Sequence, residues 1–211
     1  QEWFNKGLIG SVDEVYVWTN RPVWPQGIPV PESTGENPPD NLNWDLWLGT
    51  APKIPYTSAY HPFNWRGWQD FGTGPIGDFM CHIMDSPFKA LELTAPTSVI
   101  ATGVPERWAN DEAIHSENWP EWATYEYVFP GTKWTTEKAI KVYWYDGAKK
   151  PPRKIAGFEK DERQLPGSGS LFIGETGIGK TTLLKMISGL IKPNKGEIII
   201  GDQNLNKLSQ P

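Results

Sequence analysis

The stretch "GSLFIGETGIGKTTLLKMISGL", residues 169–190, reads as an apolar strand that runs into a nucleotide-binding loop and then a helix. Within it "GETGIGKT", residues 174–181, fits the pattern G-x-x-x-x-G-K-S/T at each fixed position. In such a loop the glycines let the backbone wrap an anion with its N–H groups. Gly174, Thr176, Gly177 and Gly179 would form the cradle, and Lys180 would reach the β- and γ-phosphates. The Thr181 hydroxyl would ligate Mg²⁺, with Thr182 beside it at the helix start. The helix N-terminus adds the positive end of its dipole, equivalent to about half a charge. Leu183, Leu184, Met186, Ile187, Leu190 and Ile191 fall at helical spacing, and Gly189 with Pro193 limits the run. Beyond it "GEIIIGD", residues 196–202, reads as a buried-type strand.

Working outward, the composition changes upstream of this stretch. The chain has 211 residues and twelve Trp, all of them at or before Trp144, after which Gly, Lys, Ile and Leu take over. A shift of that kind marks a boundary between two unrelated segments. The formal net charge of −5 argues against a nucleic-acid partner, which needs a basic footprint. A single cysteine, Cys81, excludes an internal disulfide framework. No apolar run approaches the roughly 18 residues of a bilayer span, so the expectation is a soluble chain, cytoplasmic or bacterial periplasmic. The chain begins at Gln1 with no charged-then-apolar leader, and it reads as cut at its N-terminus.

Residues 10–20 alternate Val12, Val15 and Val17 with polar residues and predict a strand. Residues 21–41 carry six prolines and predict a surface arm, because proline cannot donate to a helix or sheet ladder. "NWDLWLG", residues 43–49, suits a short helical turn. Pro75, followed by Ile76, Phe79, Met80, Ile83 and Met84, predicts a helix from about residue 75. "TSVIAT", "ATYEYVFP", "AIKVYWYDG" and "SLFIGE" are strand-like runs of β-branched and aromatic residues, and residues 147–170 form a polar loop. The expected class is α+β: an open, mostly antiparallel sheet with a few helices, followed by a short strand–phosphate loop–helix–strand fragment. The domains divide as residues 1–170 and 171–211.

On the helix from Pro75, Asp78, His82 and Asp85 are spaced i, i+4, i+7 and share one face. A carboxylate one turn from an imidazole can hold its tautomer and raise its basicity, as a general acid/base histidine requires. From spacing alone, a capping Asp78 with a buried, hydrogen-bonded His82 is the more ordinary reading. A glycine fingerprint, Gly72, Gly74 and Gly77, lies just before it. No apolar strand precedes it and Pro75 sits inside it, so it is set aside as a dinucleotide site.

"VYVWTNRPVWPQG", "NWDLWLG", "YHPFNWRGWQDFGTGPIGDFMCHIMD" and "GSLFIGE", in this order, resemble the C-terminal domain of the glucose–fructose oxidoreductase and inositol dehydrogenase (Gfo/Idh/MocA) family, over about residues 1–174. The resemblance implies that His82 carries the proton of a sugar or polyol hydroxyl, with Asp78 as its partner, beside a nicotinamide. It also implies NAD(P) as cofactor, held by an N-terminal Rossmann domain that is not in this sequence. The sheet would serve substrate contact and homo-oligomer formation, and Trp65, Arg66 and Trp68 would line a sugar pocket, since aromatic faces and a guanidinium suit such ligands. For most of the tryptophans, packing is the competing role.

"GETGIGKTTLLKMISGLIKPNKGEIIIGDQNL", residues 174–205, resembles the opening of an ABC-type ATP-binding domain, which implies ATP with Mg²⁺. The family's signature, Walker B carboxylate and switch histidine are not in this sequence. Hydrolysis needs such a carboxylate and a partner's signature to close the site. The word "LFIGETG" satisfies both families, and the chain reads as a splice at a shared strand and glycine turn. The strand can pair antiparallel in the larger sheet or serve as the parallel strand under a helix, and the expectation is that it stays in the larger sheet.

Overall fold

The computed structural model describes residues 2–5, 10–32, 35–156, 164–175, 177–180, 199–200 and 203–204. β1 (Val12–Trp18), β2 (Ser98–Gly103), β3 (Thr124–Pro130), β4 (Ala139–Tyr145), β5 (Gly169–Gly174) and β6 (Gly177–Lys180) form one sheet in the order β2-β3-β4-β1-β5-β6. β1 and β4 run parallel, and the other four pairings are antiparallel. The helices are short: α1 (Glu2–Asn5), α2 (Trp44–Leu48), α3 (Cys81–Ala90), α4 (Glu106–Asn110) and α5 (Glu112–His115). β7 (Ile199–Ile200) and β8 (Gln203–Asn204) pair as a separate antiparallel ribbon. The architecture is α+β, with a mostly antiparallel sheet. The helix expected from Thr181 lies outside the described residues, and of the strand expected over 196–202 only Ile199–Ile200 is described.

The side-chain alternation of β4 shows how the sheet divides its two faces. Ile140, Val142 and Trp144 point one way and are buried; Lys141, Tyr143 and Tyr145 point the other. The first face gathers Val15 and Val17 of β1, Tyr127 and Phe129 of β3 and Phe172 of β5 under Met84 of α3. The second face carries Tyr16, Trp18 and Leu171, covered at one end by Ala156 and Leu165. There Tyr16 stacks on Tyr143 at 4.8 Å and its hydroxyl donates to Glu14 Oε2 at 2.6 Å. Burial, with the Glu14 carboxylate beside it, drives the Tyr16 phenol well above its ordinary value.

β5 is buried on both faces, Leu171 on one and Phe172 on the other, each essentially inaccessible. Full burial of two such side chains is worth about 1.5–3 kcal/mol each. That is why this strand stays in the larger sheet, paired with β1 from Trp18↔Gly169 to Val12↔Gly174.

The Pro-rich arm is held by side-chain hydrogen bonds rather than a ladder. Trp24 Nε1 donates to Gln26 Oε1 at 2.6 Å, Gln26 Nε2 donates to the Pro120 carbonyl at 2.6 Å, and the Gly27 N–H donates to Asn118 Oδ1 at 2.5 Å. All three bonds are buried, where an unpaired polar atom costs most. The arm therefore lies against residues 118–120 and closes over the segment that bears the candidate site.

Past the end of β4, Asp146 is 2% exposed. Its carboxylate accepts from Trp144 Nε1 at 2.9 Å and from the Ala123 N–H at 2.6 Å. Burial pushes its carboxyl up to about 6, against the pull of those two donors. From the ordinary carboxylate value of 3.8 to about 6, the folded chain keeps a proton that the unfolded chain has lost. The group's contribution to stability therefore falls as pH rises through that window. We predict that Asp146→Asn flattens this fall in urea midpoints measured across that window, from the ordinary value up to about 6. Asp146→Ala, which strands two buried donors, should cost about 1–3 kcal/mol.

Candidate functional site

The segment from Asn64 to Ala90 builds the site. A 3₁₀ turn, Asn64–Gly67, presents Trp65 and Arg66; the chain then passes Gly72 and Gly74 and enters a helix. A Cβ at Gly72 would meet the Arg66 backbone at about 2.5 Å, and one at Gly74 would press on the Trp119 ring at 3.0 Å. Gly74 also has φ +60°, which favours glycine. These glycines exist for close approach of chain to chain. No βαβ unit surrounds them among the described residues, in line with setting the fingerprint aside.

The helix begins where Pro75 predicts, at residues 74–75, but it is not uniformly α-helical. Ile76–Met80 is a π turn, and α3 begins at Cys81. A Cβ at Gly77 would collide with the Thr73 side chain, so the turn closes this tightly only with glycine there. A π turn holds an extra residue per turn and rotates the residues before it relative to those after it. Asp78 lies within the π turn, and His82 and Asp85 lie in α3. Asp78 lies 3.8 Å from Arg66 Nε, and Asp85 forms an i,i+4 ion pair with Lys89 at 3.0 Å. His82 is exposed and meets the edge of the Phe79 ring at 6.0 Å. π turns of this kind are common at functional sites, and no spacing rule in the sequence signals this one.

Arg66 is the hub of the cluster. Its guanidinium lies over Trp65 at 4.5 Å, Phe63 at 4.6 Å and Trp24 at 5.9 Å, and donates to the Phe63 carbonyl at 3.0 Å. Arg21 stands over Phe79 at 5.0 Å. Sequence reasoning missed Arg21, Trp24 and Phe79; the "NRPVW" run offers no sign that it folds against the helix. Of the residues expected to line a sugar pocket, Trp65 borders an open cavity of about 540 Å³ together with Trp47, Gln69 and Asp70. Trp47 is backed by Trp44, stacked at 4.6 Å. Trp68 is 3% exposed and its ring packs at right angles on Tyr60, so it braces the segment from inside. A second cavity of about 430 Å³, more apolar, runs along the helix past Met80, Cys81 and Met84.

The phosphate-loop residues take a different shape from the expected cradle. Gly177–Lys180 is strand β6, folded back on β5 with the register Gly174↔Gly177, Ile173↔Ile178, Phe172↔Gly179 and Leu171↔Lys180. The turn is tied to the start of β1, where the Glu175 N–H donates to the Ser11 carbonyl at 3.0 Å. The physical reason lies one strand away. β5 is already committed to β1, so its outer edge offers unpaired backbone groups, and the glycine-flanked turn lets the chain satisfy them. Thr176, Thr181 and Thr182 lie outside the described residues.

With this geometry in place, the comparisons with known proteins fall into two blocks. Residues 23–126 match the oxidoreductase family, C-terminal alpha/beta domain, and residues 165–211 match the ABC transporter family. The chain is two-part. The first block is the oxidoreductase-like domain that holds the Arg66–Asp78–His82 cluster, and the second opens within the polar loop before β5. Among curated proteins, methionine import ATP-binding protein MetN of Rhodopseudomonas palustris is 32% identical over 83 residues, 39% of this chain and 22% of that protein. Cytochrome c biogenesis ATP-binding export protein CcmA of Legionella pneumophila is 52% identical over 44 residues, 20% of this chain and 22% of that one. The chain thus spans about a fifth of the length of these relatives. β5 belongs by sequence to the second block and by pairing to the sheet of the first.

The hub makes a prediction about stability. Arg66→Ala should lower it by about 1–2 kcal/mol through loss of ring contacts and stem packing. Asp78→Asn should change it by less than about 1 kcal/mol, since the ion pair is partly solvated. Denaturant midpoints of the two variants beside the parent chain check the order.

Proposed function

We propose that the chain carries the substrate-facing and subunit-pairing part of an NAD(P)-dependent oxidoreductase for sugar- or polyol-like molecules. The observation that supports this most is the exposed His82 on a helix, linked through the Phe79 and Trp24 rings to the Arg66–Asp78 pair. The match over residues 23–126 agrees with it. In this reading the His82 imidazole accepts the hydroxyl proton as hydride leaves the carbon. Asp78 acts through Arg66, fixing the guanidinium against the Trp65 ring, which borders the cavity. Polyols suit such a cavity because flat indole faces cover their C–H surfaces while Gln69 and Asp70 meet hydroxyls.

The described residues provide no fold for the dinucleotide itself: the one glycine fingerprint is used in packing. NAD(P) would therefore have to be held by another domain, and the isolated chain would bind substrate without turning it over. Copies would pair through the tyrosine-bearing face of the sheet, where Tyr16, Tyr143 and Tyr145 stand beside Glu14 and Lys141. No described helix is long and apolar enough to cross a membrane.

A second reading, a module that binds ATP with Mg²⁺, is favoured by one observation, the match of residues 165–211 to ABC transporters. The hairpin over β5 and β6 does not fit a phosphate group in its present shape. A third, a sheet domain with no activity, predicts neither sugar nor nucleotide binding.

The test supplies a family dinucleotide-binding domain, NAD(P)⁺ and a panel of hexoses and inositols. NAD(P)H formation is expected, falling at least about 100-fold with His82→Ala. Titration of tryptophan fluorescence with the same sugars should show weaker binding in Trp65→Ala. Sugar binding without any His82-dependent turnover would leave the chain a binding domain only; no binding at all would favour the third reading.

A further inference from the structure

The ring cluster at the candidate site carries more positive than negative charge. Arg66 and Arg21 lie over its rings, and Asp78 stands 3.8 Å from Arg66 Nε. Asp78 is thereby answered by Arg66, as Asp85 on α3 is answered by Lys89 at 3.0 Å. Arg21 is left over. Among the described residues no carboxylate pairs with it. Its guanidinium donates from Nη1 to Asn20 Oδ1 at 2.6 Å and lies over the Phe79 ring at 5.0 Å. A guanidinium offers five N–H donors in a planar fork, so most of this one remain for a ligand.

Backbone contacts, not charge, put Arg21 there. Its N–H donates to Thr19 Oγ1 at 3.2 Å, and its carbonyl accepts from the Gly147 N–H at 2.6 Å. Thr19 is fully buried, and Gly147, at φ +58°, sits where a Cβ would strike the Glu121 carbonyl. From this tied stretch the side chain reaches the ring that His82 also touches, at 6.0 Å. The guanidinium carbon and the imidazole centre therefore lie no more than about 11 Å apart. One six-carbon sugar, with a hydrogen bond of about 2.8 Å at each end, covers such a span. Asp70 acts in the opposite sense. It borders the cavity beside Trp65, to which Phe79 does not contribute, so an anion is repelled there and drawn to Arg21.

We propose that the substrate is a sugar or polyol bearing an anionic group, a carboxylate or a phosphate, and that Arg21 selects it. The fork grips the anion while a hydroxyl of the same molecule meets His82. This deepens the oxidoreductase reading above and rests on it. A guanidinium matches either oxyanion through two parallel N–H bonds, and such charge-assisted bonds are roughly twice as strong as neutral ones. A neutral sugar leaves the fork to water. Arg21 takes no part in the proton transfer; its role is to determine specificity.

Tryptophan fluorescence of the full chain, titrated with D-gluconate, D-glucuronate and D-glucose 6-phosphate beside neutral D-glucose and D-glucitol, tests this. The parent should bind at least one anionic sugar at least about tenfold more tightly than the neutral ones, and the two kinds of anion show which the fork takes. Each variant is read as the ratio of anionic to neutral affinity, so that a general loss of fold cancels. Arg21→Met keeps an unbranched apolar stem and should bring the ratio close to unity; Arg21→Lys, with charge but no fork, should retain part of it. A parent that binds neutral and anionic sugars alike overturns the proposal and leaves the oxidoreductase reading standing. A ratio that survives in Arg21→Met overturns it too, because another cation then holds the anion. Binding of no sugar at all removes the reading and the proposal together.

Turnover gives a second readout once the dinucleotide-binding domain and NAD(P)⁺ are supplied. Arg21→Lys should raise KM for the anionic substrate with little change in kcat, whereas His82→Ala should lower kcat. A fall in kcat with unchanged KM in Arg21→Lys contradicts the specificity role.

Discussion

The pairing of β5 with β1 is the constraint on which the rest of the structure depends. β1 sits near the middle of the sheet, parallel to β4 on one side and antiparallel to β5 on the other. Through it a strand near the chain's C-terminal end completes a core begun within the first twenty residues: Phe172 packs among Val15, Val17 and Trp144, and Leu171 among Tyr16 and Trp18. Once β5 is spent in this way, the residues after it can only continue the sheet or leave it. Residues 177–180 continue it as β6. The segment matched to ABC transporters thus gives its first strand to the sheet that also holds β2 and β3, and apolar burial on two faces holds it there.

The same sheet explains why the candidate site sits where it does. The first face is covered by the π turn and α3, which carry Asp78 and His82, and the Pro-rich arm folds over the start of that helix. Arg66 then joins arm, turn and helix through three aromatic rings and one carboxylate. Buried hydrogen bonds from Gln26 and to Asn118 hold the arm beside the site. Its histidine, His82, is exposed.

Much of this is legible in the sequence, for physical reasons that differ between elements. β1, β3, β4 and β5 announce themselves through alternation of β-branched and aromatic residues, which depends on neighbours two positions away and needs no knowledge of the fold. The short helix at Trp44 is likewise local, capped by Asn43, whose side chain accepts from the Leu46 N–H at 3.0 Å. What stays hidden depends on contacts far along the chain or on backbone detail. The partner of β5 is about 155 residues away, and nothing in "GETGIGK" reports that its preceding strand is already engaged. The π turn is tolerated because residue 77 is glycine, where a Cβ would collide with Thr73, a steric fact with no periodic signature. Trp65 and Trp68 look alike in "NWRGWQD", yet one borders a cavity and the other is core, a difference set by which side of the 3₁₀ turn each leaves. α4 and α5 are too short for apolar periodicity and give no such signal.

The most direct measurement of the central claim is a double-mutant cycle across the β1–β5 seam, Val15→Ala against Phe172→Leu, which are cross-strand neighbours in the observed register. With the strands paired as described, unfolding free energies should show a coupling of about 0.5 kcal/mol or more. Additive effects, with a coupling indistinguishable from zero, would mean that β5 does not lie beside β1 and that its place in the sheet has been wrongly assigned.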